Sequence, residues 1–172
     1  MFFSVHDLEV RKIHFDVEFP AGEIDFLDSS IKQIGGLKAQ GIAELLSHTL
    51  GEIRVRGHLQ VSMEAPCDRC LEPAACRVDS DFDLFYRPLE TGPTEAEVEI
   101  HEGEIEIGFY EGDSLELEEI LREFVLLALP MRKVCKPDCK GICPVCGRNR
   151  NEAACGCEVK LTDDRWAALK NL

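Results

Sequence analysis

The length and composition of this chain suit one globular core and exclude a membrane span. Its 172 residues are 45% hydrophobic, enough to bury a core without covalent cross-links, and its longest apolar run falls far short of the ~20 residues that a transmembrane helix needs. The net charge of −14 argues against general binding to a nucleic-acid backbone, where affinity comes from lysine and arginine.

The first part of the chain predicts one or two strands joined by loops. Apolar residues alternate with polar ones from Ile13 to Phe19, and turn-forming residues follow at 20–22 and 35–36. Residues 37–50 fit either a short helix or a strand, and we slightly favour a strand.

The clearest pattern lies in residues 53–87, which predict a long antiparallel hairpin. Apolar and polar residues alternate on both sides of a turn at residues 67–73, with the period of half-buried strands. Gly57 is predicted to form a β-bulge, and Cys76 is predicted to be a core residue because it lies on the apolar face.

A main amphipathic helix is predicted over residues 113–129. Asp113 and Glu116 have the spacing of a capping box, and apolar residues recur at helical spacing until Pro130 stops the helix.

These elements, with short strands predicted at 98–100 and 105–109, indicate an α+β fold. We expect an antiparallel sheet or partly closed barrel with a long central hairpin, one main helix and a cysteine-rich zinc-binding element. The expected division is a β-rich core domain at 1–130, a cysteine-rich arm packed on it at 131–160 and a short helix at 161–172.

Nine cysteines in a chain without an export signal indicate metal ligands rather than disulfides, and we expect a cytoplasmic protein. Residues 143–147, Cys-Pro-Val-Cys-Gly, form a tight turn whose two thiolates face one tetrahedral ion. A second pair completes four ligands: Cys143, Cys146, Cys155 and Cys157. We favour zinc, while an iron–sulfur cluster or a redox dithiol would use the same thiolates.

The Cys-x-x-C pair at Cys67 and Cys70 lies in the predicted hairpin turn, not at the start of a helix as in thioredoxin-like redox sites. Its natural partners are the remaining cysteines of the arm, Cys135 and Cys139. We therefore expect one or two structural zinc ions, the second held by this group of four.

Charge is unevenly distributed along the chain. Residues 131–151 contain six basic residues against Asp138 alone, a net charge of +5, which leaves −19 for the remainder. The acidic remainder could cradle a basic protein, and the basic segment is a candidate contact for RNA.

No catalytic residues are predicted. The five histidines are scattered without a metal-binding or catalytic spacing, and the chain lacks a phosphate-binding loop or a nucleophile elbow. Asp79, Asp81 and Asp83 could hold a divalent cation, but we interpret them as the solvated face of a strand.

A resemblance to a known family rests on three features taken together. They are the turn Cys-Asp-Arg-Cys-Leu-Glu-Pro at 67–73, the apolar helix ending at Pro130, and Asp-Cys-Lys-Gly-Ile-Cys-Pro-Val-Cys-Gly at 138–147, followed by Asn149 and Asn151. Over roughly residues 50–160 the chain resembles the YceD family of bacterial and plastid proteins, which are required for accumulation of large-subunit ribosomal RNA. The family-motif positions carried over as a partner surface are Cys67, Arg69, Cys70, Leu71, Glu72 and Pro73.

The resemblance implies a non-enzymatic role in large ribosomal subunit biogenesis. The expected partner is a basic large-subunit ribosomal protein or a pre-ribosomal particle, with ribosomal RNA contact through 131–151 as a further candidate and no membrane or small-molecule substrate. The alternatives are a zinc-ribbon protein that binds RNA or DNA, and a thiol redox switch.

Overall fold

The computed structural model describes residues 1–89 and 107–157. The chain divides into two compact units. We call Met1–Ala65 with Ala75–Met131 the sheet unit, and Pro66–Ala74 with Arg132–Leu172 the cysteine unit. The strand predicted at 98–100 and the helix predicted at 161–172 lie outside the described residues, and the predicted domain boundaries stay a prediction.

The described residues form eight strands and two helices. In chain order these are β1 (Phe2–Ser4), α1 (Val5–Val10), β2 (Ile13–Phe19), β3 (Lys32–Gln33), β4 (Leu37–Leu45), β5 (Ile53–Pro66), β6 (Pro73–Pro88), β7 (Ile107–Tyr110), β8 (Ser114–Glu116) and α2 (Leu117–Ala128). Six strands form a sheet in the order β2-β4-β5-β6-β7, with β3 also paired to β5, while β1 pairs with β8.

The structure confirms a mostly β fold with one main helix and corrects two features of the predicted sheet. Among the described strands, β2 and β7 end the row, so the sheet does not close into a barrel. Strand β7 runs parallel to β6, which makes the sheet mixed rather than wholly antiparallel. The sequence between Pro88 and Ile107 is long enough for this, since a parallel connection needs about a dozen residues or more.

The ambiguous segment after residue 37 is strand β4, as favoured by its sequence. It pairs antiparallel with β2 on one side and β5 on the other. Its inward residues Leu37, Ala39 and Ala43 are buried. The spacing of two residues, typical of a strand, therefore predicted the structure correctly, and the helical spacing did not.

Two helix predictions need correction. Residues Val5–Val10 form the short helix α1, which was not predicted, and α2 begins at Leu117 rather than at residue 113. Residues Ser114–Glu116 pair with β1, and Glu116 is extended without a side-chain cap, so the predicted capping box does not form. None of the helices within residues 1–89 and 107–157 has the length and apolar character needed to cross a bilayer.

Strands β5 and β6 are neighbours in the sheet and have one buried and one polar face. Side chains such as Val55, Leu59 and Val78 belong to the core cluster of the sheet unit. On the other face, Arg54 makes two hydrogen bonds to Asp83 at 2.7 and 2.5 Å, and His58 contacts Asp81 at 2.8 Å. The predicted aspartate row is therefore occupied by ion pairs.

A pair of facing glycines lets β4 and β5 approach beneath two aromatic rings. Gly41 is paired with Gly57 in an uninterrupted register, so Gly57 is not a bulge in its pairing with β4. A Cβ atom on Gly41 would lie 2.3 Å from the Arg56 carbonyl oxygen and 2.7 Å from the Phe15 ring. The rings of Phe15 and Phe82 stack with centroids 6.5 Å apart and fill the space that side chains would need.

Replacing Gly41 with alanine is expected to destabilise the sheet unit by about 1–3 kcal/mol, because the new methyl group overlaps backbone atoms of β5. Urea unfolding followed by circular dichroism measures the change. Gly35→Ala is the control, since its Cβ would meet only Ser62 at 3.7 Å, and it should leave stability unchanged or slightly raised. An equal loss in both variants would contradict this account of the glycine pair.

Candidate metal centres

The cysteine unit gathers eight of the nine cysteines into two groups of four. Within each group the sulfur atoms all lie within 4.8 Å of one another. We call Cys67, Cys70, Cys135 and Cys139 the first cluster, and Cys143, Cys146, Cys155 and Cys157 the second cluster. The structure thus brings together the two groups suggested by the sequence, and their role as ligands stays a prediction. Cys76 lies in the buried core of the sheet unit.

The sulfur separations in the first cluster suit coordination and not disulfide bonding. Cys67 Sγ lies 3.9 Å from Cys139 Sγ, and Cys70 Sγ lies 3.5 Å from Cys135 Sγ. A disulfide bond is about 2.05 Å long, and all of these cysteines are free. Four thiolates bound tetrahedrally at about 2.3 Å would be about 3.8 Å apart. The first cluster can therefore hold one metal ion with little change of geometry.

Residues Pro66–Ala74, which we call the tip segment, form the turn that presents two of these thiols. The Cys67 amide donates to the Glu72 carbonyl at 2.8 Å, and the Leu71 amide donates to the Cys67 carbonyl at 2.9 Å. Leu71 completes the turn in the left-handed region, with φ of 65°. The chain is thereby folded back so that Cys67 and Cys70 face the same point.

Backbone amides stabilise negative charge on the Cys67 sulfur. Burial acts to raise the pKa of this thiol, but hydrogen bonds from the amides of Cys135, Arg69 and Cys70 outweigh burial and lower the pKa to about 6. Such N–H groups aimed at sulfur favour the thiolate that binds metal.

The other thiols of the first cluster differ in the direction of their pKa shifts. The side-chain amide of Asn151 is the main cause that lowers the pKa of Cys139. Burial, followed by the neighbouring sulfurs, raises the pKa of Cys135 to about 12, and burial also raises that of Cys70. A divalent cation would offset this repulsion and favour the thiolate form at each position.

Besides the bond from the Cys135 amide to the Cys67 sulfur, four hydrogen bonds between nitrogen and oxygen atoms hold the tip segment against the residues after Met131 within the cysteine unit. Asp68 and Lys133 bond reciprocally, the Asp68 amide to the Lys133 carbonyl at 2.8 Å and the Lys133 amide to the Asp68 carboxylate at 2.6 Å. The Ile142 amide donates to the Arg69 carbonyl at 2.9 Å, and the Arg69 guanidinium donates to the Cys139 carbonyl at 2.8 Å. The ligands from distant parts of the sequence are thus positioned by backbone groups together with the Asp68 and Arg69 side chains.

The second cluster begins with the knuckle predicted at residues 143–147. The Gly147 amide donates to the Cys143 carbonyl at 2.8 Å, and Gly147 adopts a φ of 71°, which glycine tolerates readily. Amides of Cys146 and Val145 lower the pKa of Cys143 to about 6. The sulfurs of Cys146 and Cys155 raise that of Cys157 to about 12.

Asn151 connects the segment that carries the second cluster to a sulfur of the first. Its Nδ2 lies 3.3 Å from Cys139 Sγ, its Oδ1 accepts from the Lys140 amide at 2.8 Å, and its own amide donates to Asn149 Oδ1 at 3.0 Å. Asn151 belongs to the family-like motif in the sequence but was not predicted to be a site residue. An amide side chain shortly after a cysteine knuckle was the available signal.

The described part of the cysteine unit has a very small apolar core. Its buried cluster consists of Cys67, Cys70, Ala74 and Cys139, with Val134 and Cys135 partly buried against it. Most of these side chains are themselves cluster cysteines. Since burial of a few small side chains yields little stabilisation, the structure of this unit calls for another source of stability.

The predicted motif residues do not all face solvent. Leu71 is 66% exposed although it is apolar, and Glu72 and Pro73 are also exposed. Arg69 is only partly exposed and is engaged with the Cys139 carbonyl. The available surface of the tip segment is therefore centred on Leu71.

The chain is a two-unit protein, with a β-sheet unit and a second unit built around two four-cysteine clusters that could hold metal. The model of the family described as "Large ribosomal RNA subunit accumulation protein YceD" matches residues 55–172. The chain therefore belongs to the YceD family.

Three relatives illustrate the range of similarity. An uncharacterized protein of Mycobacterium tuberculosis is 33% identical over 118 residues, which are 68% of this chain and 54% of that protein, so the match spans about half of the relative's length. The uncharacterized protein YlbN of Bacillus subtilis is 25% identical over 175 residues, covering 99% of this chain and 93% of the relative. The chloroplastic large ribosomal RNA subunit accumulation protein YCED homolog 1 of Zea mays is 24% identical over 136 residues, covering 64% and 45%. No solved structure gives a significant match.

Reconstitution with zinc is expected to load two ions per chain, because each cluster offers four thiolates. The double variants Cys67→Ser/Cys70→Ser and Cys143→Ser/Cys146→Ser should each bind one ion, measured by elemental analysis after removal of unbound metal. Cys76→Ala, which lies outside both clusters, should still bind two. A wild-type value of one that is unchanged by the Cys67/Cys70 variant would contradict a second centre.

Asn151→Ala is expected to weaken zinc binding at the first cluster by about 10- to 100-fold, because the outer-shell hydrogen bond to the Cys139 sulfur is lost. The effect is measured by chelator competition in the Cys143→Ser/Cys146→Ser background, so that only the first cluster is observed. Glu152→Gln, which keeps an oxygen to accept from the Asn149 side-chain amide, is the control and should keep the parent affinity. Equal affinities in both variants would show that Asn151 has no such role.

Proposed function

We propose that this protein is a non-enzymatic factor in large ribosomal subunit biogenesis that acts in the bacterial cytoplasm. Membership of the YceD family is the observation that carries the proposal, and the printed name of the maize relative agrees with it. The factor acts by binding a basic ribosomal protein or an assembly intermediate, which suits an overall charge of −14.

In this proposal each cysteine cluster holds a structural zinc ion. Zinc accepts four thiolates in tetrahedral geometry and has no redox chemistry of its own. The sulfur separations of 3.5 and 3.9 Å in the first cluster support this choice, as does the small apolar core of the cysteine unit. Four thiolates leave no open position for a water molecule, so the zinc stabilises the fold rather than catalysing a reaction.

The tip segment is the proposed contact surface for the assembly intermediate. Leu71 is an exposed apolar side chain on a left-handed backbone between a cluster cysteine and Glu72, whose carbonyl closes the turn. A bulky residue with positive φ is uncommon and carries a conformational cost. The surrounding hydrogen bonds and the proposed metal ion would hold the Leu71 side chain in its exposed position. This position favours a role in binding a partner over a role in packing the core.

Leu71→Asn is expected to reduce the accumulation of large-subunit particles toward the level of a deletion strain, because it removes the apolar contact while asparagine tolerates positive φ. Sucrose-gradient profiles of the complemented strain measure the ratio of large to small subunits.

Leu27→Asn is a closely matched control for this experiment. Leu27 also has positive φ, at 58°, and is 75% exposed, but it lies in the sheet unit. It should restore the wild-type ratio. Identical profiles for the two variants would argue against the tip segment as the contact surface.

A second candidate is a zinc-dependent RNA-binding protein that uses the basic segment at residues 131–151. The +5 charge of this segment is the observation in its favour. The two functions differ in the salt dependence of binding to free ribosomal RNA. A steep fall of the binding constant with salt would favour the RNA-binding protein, because each neutralised phosphate releases counterions. Recovery of a basic large-subunit protein at low salt, with weak binding to RNA, would favour the first proposal.

A further inference from the structure

A groove of about 320 Å³ lies on the sheet unit between β6, β7, β8 and the first turns of α2. It is bordered by two exposed aromatic rings, since Phe2 is 62% and Phe109 is 53% exposed. Exposed apolar groups clustered in a groove are typical of a binding surface. Neither the cysteine clusters nor the tip segment contributes to this groove.

The charge of the groove is of one sign. Among its described lining residues there are four glutamates and no lysine, arginine or histidine. Those glutamates are Glu111, Glu116, Glu119 and Glu123. Glu119 makes an exposed ion pair with Arg122 at 3.6 Å, whereas the other three have no ion pair within the part of the chain that the structure describes. Aromatic rings beside uncompensated carboxylates are complementary to a cationic side chain.

Tyr86 adds an unused hydrogen-bonding group at the groove. Its side chain is 6% exposed and lines the groove, yet its hydroxyl has no hydrogen-bond partner among residues 1–89 and 107–157. Burial, followed by the charges of Glu123 and Glu119, raises the pKa of Tyr86 and keeps its hydroxyl protonated. The hydroxyl is accessible from the groove, so it can bond to a ligand that lies there.

The position of Tyr86 depends on a glycine in the neighbouring strand. Tyr86 is paired with Gly108, and a Cβ atom at that position would lie 2.6 Å from the tyrosine ring. The absence of a side chain lets the ring lie over β7 and leaves the adjacent Phe109 at the groove edge. The groove is thus built by the strand register and not by loop side chains alone.

We propose that this groove binds an extended, arginine-bearing segment of a basic ribosomal protein. The guanidinium group of arginine stacks on aromatic rings and bonds to carboxylates at the same time, which the compact ammonium of lysine does less well. A backbone carbonyl of an extended segment can accept a hydrogen bond from the Tyr86 hydroxyl. The inference rests on the proposed function, because that function supplies the basic partner.

The test uses a short fluorescent peptide of alternating arginine and glycine, titrated with the full chain and followed by anisotropy. Glu116→Gln/Glu123→Gln should weaken binding roughly 5- to 10-fold, as expected for the loss of two partly exposed charge contacts. The matched control, Asp16→Asn/Glu23→Gln, removes the same charge elsewhere on the sheet unit from exposed residues. It should weaken binding less than about twofold, because these charges are distant and screened.

Two further variants separate a defined site from general attraction. Tyr86→Phe keeps the ring over Gly108 and removes only the hydroxyl, and it should weaken binding about two- to fivefold. Phe109→Ser should weaken binding of the arginine peptide more than binding of the corresponding lysine peptide. Urea unfolding midpoints verify that each variant is folded.

Equal weakening by the groove and control double variants, or no binding of the arginine peptide, would overturn the proposal. Failure of this proposal can be distinguished from failure of the proposed function. If the peptide does not bind, but Leu71→Asn lowers the subunit ratio and Leu27→Asn restores it, the groove is not a binding site and the proposed function is retained. If the peptide binds specifically, but deletion of the protein leaves the subunit ratio unchanged, the proposed function is contradicted instead.

Discussion

In the account proposed above, coordination of metal by the two four-cysteine clusters is the interaction on which the cysteine unit depends. The buried cluster of its described residues contains three cysteines and one alanine, a surface too small to offset the entropy of ordering the chain. Zinc bound by the thiolates would supply the missing free energy, since binding to a site absent from the unfolded chain is coupled to folding. The hydrogen bonds of Asp68, Arg69 and Asn151 then select one arrangement of the ligands.

The sheet unit follows a different principle, because its stability comes from a continuous apolar core. Buried residues from β2, β4, β5, β6 and α2 belong to a single cluster. Polar residues occupy the opposite face of β5 and β6, where the carboxylates are paired with Arg54 and His58. The acidic groove beside Tyr86 is an exception, since three of its four glutamates, Glu111, Glu116 and Glu123, have no ion pair within the described residues. This contrast is why we assign the groove, and not the aspartate row, to binding.

The sequence predicted the features that depend on local spacing. The alternation in residues 53–87 has a period of two residues, and the two cysteines of the Cys-Pro-Val-Cys-Gly knuckle are three positions apart. The structure contains both features. Cys67 and Cys70 were grouped with Cys135 and Cys139 because these cysteines remained after the other four had been assigned to one site. The start of α2 was wrong because the pairing of Ser114–Glu116 with β1 is a long-range contact. Gly57 was predicted to form a bulge, but it is paired in uninterrupted register with Gly41 of β4, a long-range contact that local spacing does not show.

We propose that each cluster is a closed tetrathiolate zinc centre. X-ray absorption at the zinc edge of the fully loaded protein tests it most directly, because the spectrum reports the type and distance of the ligand atoms. We predict a first shell of four sulfur atoms at about 2.3 Å, with no nitrogen or oxygen component. A shell that contains oxygen or nitrogen, or fewer than four sulfurs per zinc, would contradict the account.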